Sequence, residues 1–75
     1  MKASQIRMAR AALQWGVRDL ATHSGITANT ISRIENGADA KVSTLETLRQ
    51  TLENAGIVFI EENGGGPGVR LKRPS

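Results

Sequence analysis

Apolar residues recur at helical spacing from residue 4 to residue 56 and at strand spacing after that. Their stripes predict four helices: residues 4–15, Val17 to Ser24, residues 28–36 and residues 44–55. The inward positions are Ile6, Ala9 and Leu13 in the first helix, Val17, Leu20 and Ala21 in the second, Ile31 and Ile34 in the third, and Leu45, Leu48, Leu52 and Ala55 in the fourth. The sequence therefore predicts a mainly helical core.

Capping residues and glycines predict where these helices begin and end. Ser4 is expected to cap the first helix and Thr27 the third, while Ser43 and Glu46 form a capping box for the fourth. The glycines that interrupt or end the four helical stretches are, in chain order, Gly16, Gly25, Gly37 and Gly56. Gly25 is expected to form the turn between the second and third helices.

The pattern changes after Gly56 and predicts a β-hairpin. Residues 57–62 are β-branched and aromatic, residues 63–68 hold glycine and proline, and residues 69–72 alternate apolar and basic side chains. A glycine cluster can also hold phosphate, but neither a Walker motif nor G-x-G-x-x-G fits these residues. We therefore expect two strands and a six-residue loop.

Both faces of the first predicted strand are apolar, since Ile57 and Phe59 alternate with Val58 and Ile60. A lone hairpin is marginal in water, so one face should cover the helices and the other should meet a partner. Pairing with the same strand of a second copy would protect the exposed edge. The sequence thus predicts residues 57–75 as a dimerisation element beside a domain of residues 1–56.

Length and composition exclude several classes of protein. A chain of 75 residues allows one small domain, and no cysteine and one histidine exclude a Cys/His zinc site and a cysteine nucleophile. The sequence places no general base beside any serine, so a catalytic serine is not indicated. We expect neither an enzyme nor a bound cofactor or metal. Short apolar runs exclude a membrane span, and Lys2, Arg7 and Arg10 break up any export signal. The expected location is the cytoplasm.

Charge is segregated along the chain. The formal net charge is +3, and it divides into +3 for residues 1–43, −3 for residues 44–62 and +3 for residues 63–75. A basic N-terminal half beside an acidic segment favours a face that meets a polyanion. An ordinary solvated surface is the alternative.

Arg10 and Glu35 lie at the edges of apolar stripes, on the first and third helices. Two opposite charges that point at one core are most simply explained as an ion pair, because an unpaired buried charge is costly. Two solvated residues at helix edges are the alternative.

The segment from Arg18 to Gly37 fits a helix-turn-helix unit, with a short helix, a turn at Gly25 and a second helix whose inner side is apolar. Such a unit places the exposed start of its second helix in the DNA major groove. The residues of that exposed face are Ala28, Asn29, Ser32 and Arg33. Asn can read adenine, Arg can read guanine, and flanking Thr27 and Asn36 can reach phosphates. A helical hairpin that only packs is the alternative.

Residues 6–56 resemble the XRE or phage-repressor superfamily of helix-turn-helix proteins, without gaps from Trp15 to Gly37. The shared residues are Leu20, Ala21, Gly25, Ile31, Ser32, Ile34, Glu35, Asn36 and Gly37. The resemblance implies a λ-repressor-like four-helix fold and the ion pair of Arg10 with Glu35. It implies base contacts from Thr27, Ala28, Asn29, Ser32 and Arg33, and phosphate contacts from Asn36 and the loop around Lys41.

Three departures from that superfamily change the expectations. Gly16 and Val17 replace a polar cap and a phosphate-contacting Gln, so Arg18 is expected to supply this contact by charge. Ala28 replaces a polar base-reading residue, so it can only make an apolar contact with the methyl group of a thymine. A β-hairpin replaces the fifth helix, as in small antitoxins of the superfamily that dimerise through a C-terminal strand.

These features predict a transcriptional regulator of the repressor type. It is expected to bind double-stranded DNA as a homodimer on a two-fold operator. One alternative is the antitoxin of a toxin–antitoxin pair, which would also bind a second protein. Another is a protein-interaction module that has kept the fold and lost DNA binding, which Val17 and Ala28 would favour.

Overall fold

A computed structural model describes residues 1–72 as four helices followed by a two-stranded antiparallel hairpin. The elements are α1 (Ala3–Leu13), α2 (Val17–Ser24), α3 (Ala28–Glu35), α4 (Val42–Asn54), β1 (Ile57–Ile60) and β2 (Gly68–Leu71). The mainly helical fold class with a C-terminal hairpin is confirmed. The end of the predicted tail, with Arg73, lies outside the described residues.

One core joins all four helices and β1. Its buried members are Ile6, Ala9, Leu20, Ile31, Ile34, Leu48, Leu52 and Ile57. Of the other predicted inward positions, Leu13, Val17, Ala21 and Leu45 are partly buried and pack against this core, and Ala55 is also partly buried. The helical stripes therefore predicted the inner faces correctly. Within residues 1–72, no helix has the length and apolar character needed to span a bilayer.

Two predicted caps are wrong, because both helices start earlier than the sequence suggested. Lys2 is the N-cap residue of α1, and its N–H donates to Oε1 of Gln5 (2.8 Å), so Ser4 lies inside the helix. Lys41 is the N-cap residue of α4, and its carbonyl accepts the N–H of Leu45 (3.1 Å), which places Ser43 in the first turn.

The other helix ends follow the sequence more closely. Gly25 and Gly37 have positive φ angles of 76° and 96° and terminate α2 and α3 as predicted. The first helix ends at Leu13 rather than Trp15, because Gln14 takes the left-handed conformation with a φ of 58°. Trp15 therefore belongs to the connection between α1 and α2.

The hairpin forms at the predicted position, but its first strand is shorter and its loop is longer than the sequence predicted. The register pairs Ile57 with Leu71 and Ile60 with Gly68, so the loop covers residues 61–67 rather than the predicted 63–68. Gly68 is the first residue of β2, whereas Glu61 and Glu62 lie in the loop and not in β1.

The hairpin covers α1 and α4 with one of its faces. The strand β2 packs against α1 and β1 packs against α4. Ile57 is 3% exposed, while Phe59 and Val69 pack against the core from the same face of the sheet. Ile60, on the opposite face, is 38% exposed. The sequence expectation that one strand face covers the helices is thus met by Ile57 and Phe59.

Candidate nucleic-acid interface

The turn between α2 and α3 is fixed by a glycine and a serine. Gly25 adopts a left-handed conformation (φ 76°) that is costly for other residues, and its N–H donates to the carbonyl of Ala21 (2.9 Å). The Ser24 hydroxyl oxygen accepts the N–H of Ile26 (3.1 Å), and Ile26 packs against the core. The chain therefore enters α3 along a defined path.

Thr27 caps α3 through its side chain. Its hydroxyl oxygen accepts the N–H of Thr30 (3.3 Å), and its hydroxyl donates to Oγ1 of Thr30 (2.9 Å). An N-cap threonine of this kind contributes about 1 kcal/mol to helix stability. Thr27 thus has a structural role beside the base contact that the family resemblance implies for it.

The first two turns of α3 present a polar face to solvent. Asn29 and Arg33 are exposed and lie four residues apart, so they are neighbours on the helix surface. Ala28 and Ser32 are partly buried and form the row beside them. Ile31 (0% exposed) and Ile34 (6%) hold the opposite face in the core. The structure therefore brings the four predicted base-reading residues of α3 onto adjoining rows.

Two arginines of α1 hold the C-terminal end of α3. The Arg10 guanidinium contacts the Glu35 carboxylate through two hydrogen bonds, Nε to Oε2 (2.6 Å) and Nη2 to Oε1 (2.8 Å). Its Nη1 donates to the carbonyl of Trp15 (3.1 Å), and Nη1 of Arg7 donates to the backbone carbonyl of Glu35. These contacts fix α3 and the start of α2 relative to α1.

The ion pair is largely withdrawn from water. The side chains of Arg10 and Glu35 are 19% and 6% exposed. The hydrogen bond to Glu35 raises the pKa of Arg10 above its ordinary value, and the negative charge adds to this rise, whereas burial opposes it. Because arginine already ionises well above neutral pH, Arg10 keeps its charge across the physiological range.

The connection from α3 to α4 adds exposed polar groups beside this face. Asn36 and Lys41 are exposed, and Lys41 stands at the N-cap position of α4 without a side-chain cap. A cleft of about 300 Å³ lies between α3 and this connection, and its lining includes Arg33, Asp39 and Lys41. The cleft is thus lined by one predicted base-reading residue, Arg33, and by one predicted phosphate-binding residue, Lys41.

A family model described as a helix-turn-helix domain matches residues 3–56. The chain belongs to this family. No curated protein matches the sequence. A helix-turn-helix domain indicates a DNA-binding regulator, and proteins of this kind are typically not enzymes. In residues 1–72, no three His, Cys, Asp or Glu side chains are grouped so that they could hold a metal ion.

At the start of α2, Gly16 and Val17 offer no polar side chain to the helix-turn-helix domain's candidate surface. Gly16 is the N-cap residue and has no side chain to offer, although its N–H donates to Oδ2 of Asp19 (2.8 Å). Val17 packs against the core, and Arg18 is exposed. The only cation in the first turn of α2 is therefore Arg18, and the carboxylate of Asp19 lies one residue away from it.

Sequence reasoning missed Arg7 and Gln5. The sequence shows Arg7 only as a charged helix residue, and Gln5 gives no signal because a polar residue at a helix position usually faces solvent. Gln5 is 2% exposed, and its side-chain NH2 donates to the carbonyls of Ile60 (3.2 Å) and Gly68 (3.0 Å). It fastens the loop end of the hairpin to α1.

Proposed function

We propose that the chain is a sequence-specific transcriptional regulator of the cytoplasm that binds a two-fold DNA operator as a homodimer. The observation that carries the proposal is the exposed polar face of α3, which is capped at its start by Thr27 and held at its end by Arg10. A rigid, solvent-facing helix start in a helix-turn-helix unit suits insertion into the major groove.

Base recognition is assigned to Asn29 and Arg33, with smaller contributions from the neighbouring row. Asn can form two hydrogen bonds to adenine, and Arg can form two to guanine. Both side chains are exposed and lie one turn apart. Ala28 would meet a thymine methyl group, and Ser32 and Thr27 can each supply one hydrogen bond.

Phosphate contacts are assigned to Arg18, Asn36 and Lys41, which are all exposed and lie before and after the base-reading face. The first N–H groups of α4 support this assignment at Lys41. No side chain caps them, and the positive end of a helix attracts anions. Phosphates on both sides of the groove would then orient α3 between them.

Dimerisation is assigned to the outer edge and outer face of β1, from Ile57 to Ile60. The N–H of Lys72 donates to the carbonyl of Gly56 (2.7 Å), so the hydrogen-bonded pairs of the hairpin are those of Val58 and Ile60. The backbone groups of Ile57 and Phe59 therefore point away from β2. Within residues 1–72, no further strand pairs with that edge.

This pattern favours one antiparallel arrangement across the two-fold axis. With Phe59 opposite Phe59 of the partner subunit, Ile57 and Glu61 would complete the ladder, and Val58 would face Ile60 of the partner subunit. Cross-strand apolar pairs of this kind contribute about 0.2 to 1 kcal/mol each. The two α3 helices would have to lie about 34 Å apart, which is one turn of DNA.

Titration of purified protein with a DNA site obtained by selection from random duplexes tests base recognition. Asn29→Ala and Arg33→Ala should each weaken specific binding by about 1 to 3 kcal/mol and relax the preference at single base positions. Asn54→Ala is a matched control, since Asn54 is exposed on α4. Unchanged affinity in both α3 variants would contradict placement of this helix in the groove.

The same titration over a range of salt concentrations tests the phosphate contacts. Lys41→Ala should weaken binding to all sequences alike and reduce the slope of log affinity against log salt by about one unit. A loss confined to the selected site would show that Lys41 reads bases instead.

Sedimentation of the full-length chain tests the dimer. We expect a dimer at tens of micromolar, and Val58→Lys should shift it to a folded monomer, because Val58 lies on the outer face. Full-length protein that sediments as a monomer at this concentration would exclude the hairpin dimer, and a chain ending at Gly56 that still dimerises would do the same.

A protein-interaction module without DNA binding is the second candidate, and the start of α2 favours it. Val17 packs against the core and the Asp19 carboxylate lies in the first turn, where an approaching phosphate would be repelled. Absence of salt-dependent DNA binding by the full chain would select this candidate. Co-purification of a second protein together with DNA binding would instead select the antitoxin function.

A further inference from the structure

The chain contains two Asn–Gly pairs, Asn36–Gly37 and Asn63–Gly64. In such a pair, the backbone nitrogen of the glycine can attack the carbonyl carbon of the asparagine side chain. Glycine favours this attack, because it has no Cβ to hinder the approach and permits the backbone angles that the closed ring requires. Sequence alone makes the two pairs equally susceptible.

The fold restrains the first pair at the end of α3. Asn36 is the C-cap residue, with φ −95° and ψ 12°, and its N–H donates to the carbonyls of Ser32 (3.1 Å) and Arg33 (3.2 Å). The nitrogen of Gly37 donates to the carbonyl of Ile34 (3.0 Å). The attacking nitrogen is therefore engaged, and this turn must open before a ring can form.

The second pair lies in the loop between β1 and β2. Asn63 and Gly64 are both exposed, and Gly64 has a φ of 97°. Apart from the two adjacent residues, no atom lies within 4 Å of the position that a Cβ of Gly64 would take. Among the residues that the structure describes, no hydrogen bond engages the N–H of Gly64. Neither the nitrogen nor the side-chain amide is held back from reaction.

We propose that Asn63 is a site of spontaneous deamidation and that the fold protects Asn36. The nitrogen of Gly64 gives its proton to water or hydroxide and bonds to Cγ of Asn63. The side-chain amide bond breaks and ammonia leaves, which closes a succinimide ring. Water then opens the ring at either carbonyl to give aspartate or isoaspartate, so one water is consumed and one ammonia is released without any redox change.

The two positions differ in what the reaction would change. At Asn63, the product adds a third carboxylate to the loop that already carries Glu61 and Glu62. Isoaspartate also adds a methylene to the main chain next to the end of the hairpin that Gln5 holds. At Asn36, a new negative charge would appear beside the face of α3. Protection of Asn36 thus preserves the charge of the candidate interface.

Peptide mapping of the full-length protein tests the proposal. The native protein is incubated in mildly alkaline buffer at body temperature and then digested with trypsin. The two pairs fall in different peptides, residues 34–41 and residues 50–70. Conversion raises the peptide mass by about 1 Da, and fragmentation locates the change. A parallel incubation in denaturant removes the restraint of the fold.

We expect Asn63 to convert at least about tenfold faster than Asn36 in the native protein, since Asn36 reacts only from a locally opened state. In denaturant, the two rates should become similar. Asn63→Gln, whose longer side chain disfavours ring closure, should abolish the change in residues 50–70. Equal native rates, faster conversion of Asn36, or an unchanged Asn63 would each overturn the proposal, and none of these results depends on DNA binding.

Discussion

Helix α1 holds α3 and the β-hairpin by different kinds of contact. Its attachment to α3 is charged, through Arg10 on the Glu35 carboxylate and Arg7 on the Glu35 carbonyl. Its attachment to the hairpin is neutral, through the Gln5 amide and the packing of β2 along the helix. The same short helix therefore supports the candidate DNA-reading element on one side and the candidate dimerisation element on the other.

The two kinds of contact position α3 and the hairpin in different ways. The planar guanidinium of Arg10 binds the Glu35 carboxylate through two parallel hydrogen bonds, and this geometry restricts the direction of α3. The hairpin rests on Ile57, Phe59 and Val69, whose apolar contacts stabilise without strong directional preference. Gln5 supplies the directional contact on that side. Orientation on both sides of α1 thus depends on a few polar side chains, whereas stability depends on the core.

Breaking the charged attachment should have the largest effect. Arg10→Met or Glu35→Gln should lower the free energy of unfolding by about 3 to 5 kcal/mol, because each change leaves one charge or polar group buried without its partner. Chemical denaturation of both single variants and the double variant measures the coupling. Additive losses below about 1 kcal/mol would show that the pair behaves like an exposed one.

Removing apolar contact from the hairpin should rank second. Ile57→Ala should cost about 2 to 5 kcal/mol, since Ile57 is 3% exposed and completes the core. Ile60→Ala removes the same group from a side chain that is 38% exposed and should cost the isolated subunit less than about 1 kcal/mol. Thermal unfolding of both variants is measured at a concentration low enough for the subunit to be monomeric, and similar losses there would mean that β1 does not close the core.

Removing the directional contact of the hairpin should rank third. Gln5→Met keeps the length of the side chain but deletes the donors to Ile60 and Gly68 and the acceptor of the Lys2 N–H. The change should cost about 1 to 3 kcal/mol. Gln50→Met on the exposed face of α4 is the matched control and should stay within about 0.5 kcal/mol. Faster amide hydrogen exchange in β2 than in α3 of Gln5→Met would locate the loss. Equal acceleration in both elements would contradict separate attachments.

The aromatic contact at the start of α2 should matter least. Trp15 stacks on His23 with ring centroids 4.2 Å apart and an interplanar angle of 0°, and His23 is exposed. His23→Ala should cost no more than about 1 kcal/mol and should shift the fluorescence of Trp15, which is the only tryptophan of the chain. A loss as large as that of Arg10→Met would mean that this stack, rather than α1, orients α2.

Helix faces and glycine turns could be predicted from the sequence because they depend on local spacing. Gly25 and Gly37 mark their turns by the backbone angles they permit, and Ile31 and Ile34 mark the inner side of α3 by their spacing. The partnership of Arg10 and Glu35 also followed from spacing, since both residues lie at the edge of an apolar stripe. Their contact in the structure agrees with that inference.

Contacts that depend on tertiary placement could not be predicted. Ser4 and Ser43 are good capping residues by type, but the hydrogen-bonded ladders begin at Lys2 and Lys41. The residues just before them, Met1 and Ala40, pack against the core. Gln5 and Arg7 have partners that lie 28 or more residues away along the chain. Nothing in their local sequence distinguishes them from solvated side chains.

The partners of Gln5 also set an order of events during folding. Contacts among neighbouring helices close short loops, whereas Gln5 must meet residues that lie 55 and 63 positions further along the chain. A ribosome releases the first helices long before it releases β2. The last side of the core therefore closes only after β2 has been synthesised, so a nascent chain that stops before β2 leaves Ile57 and its neighbours open to chaperones and proteases.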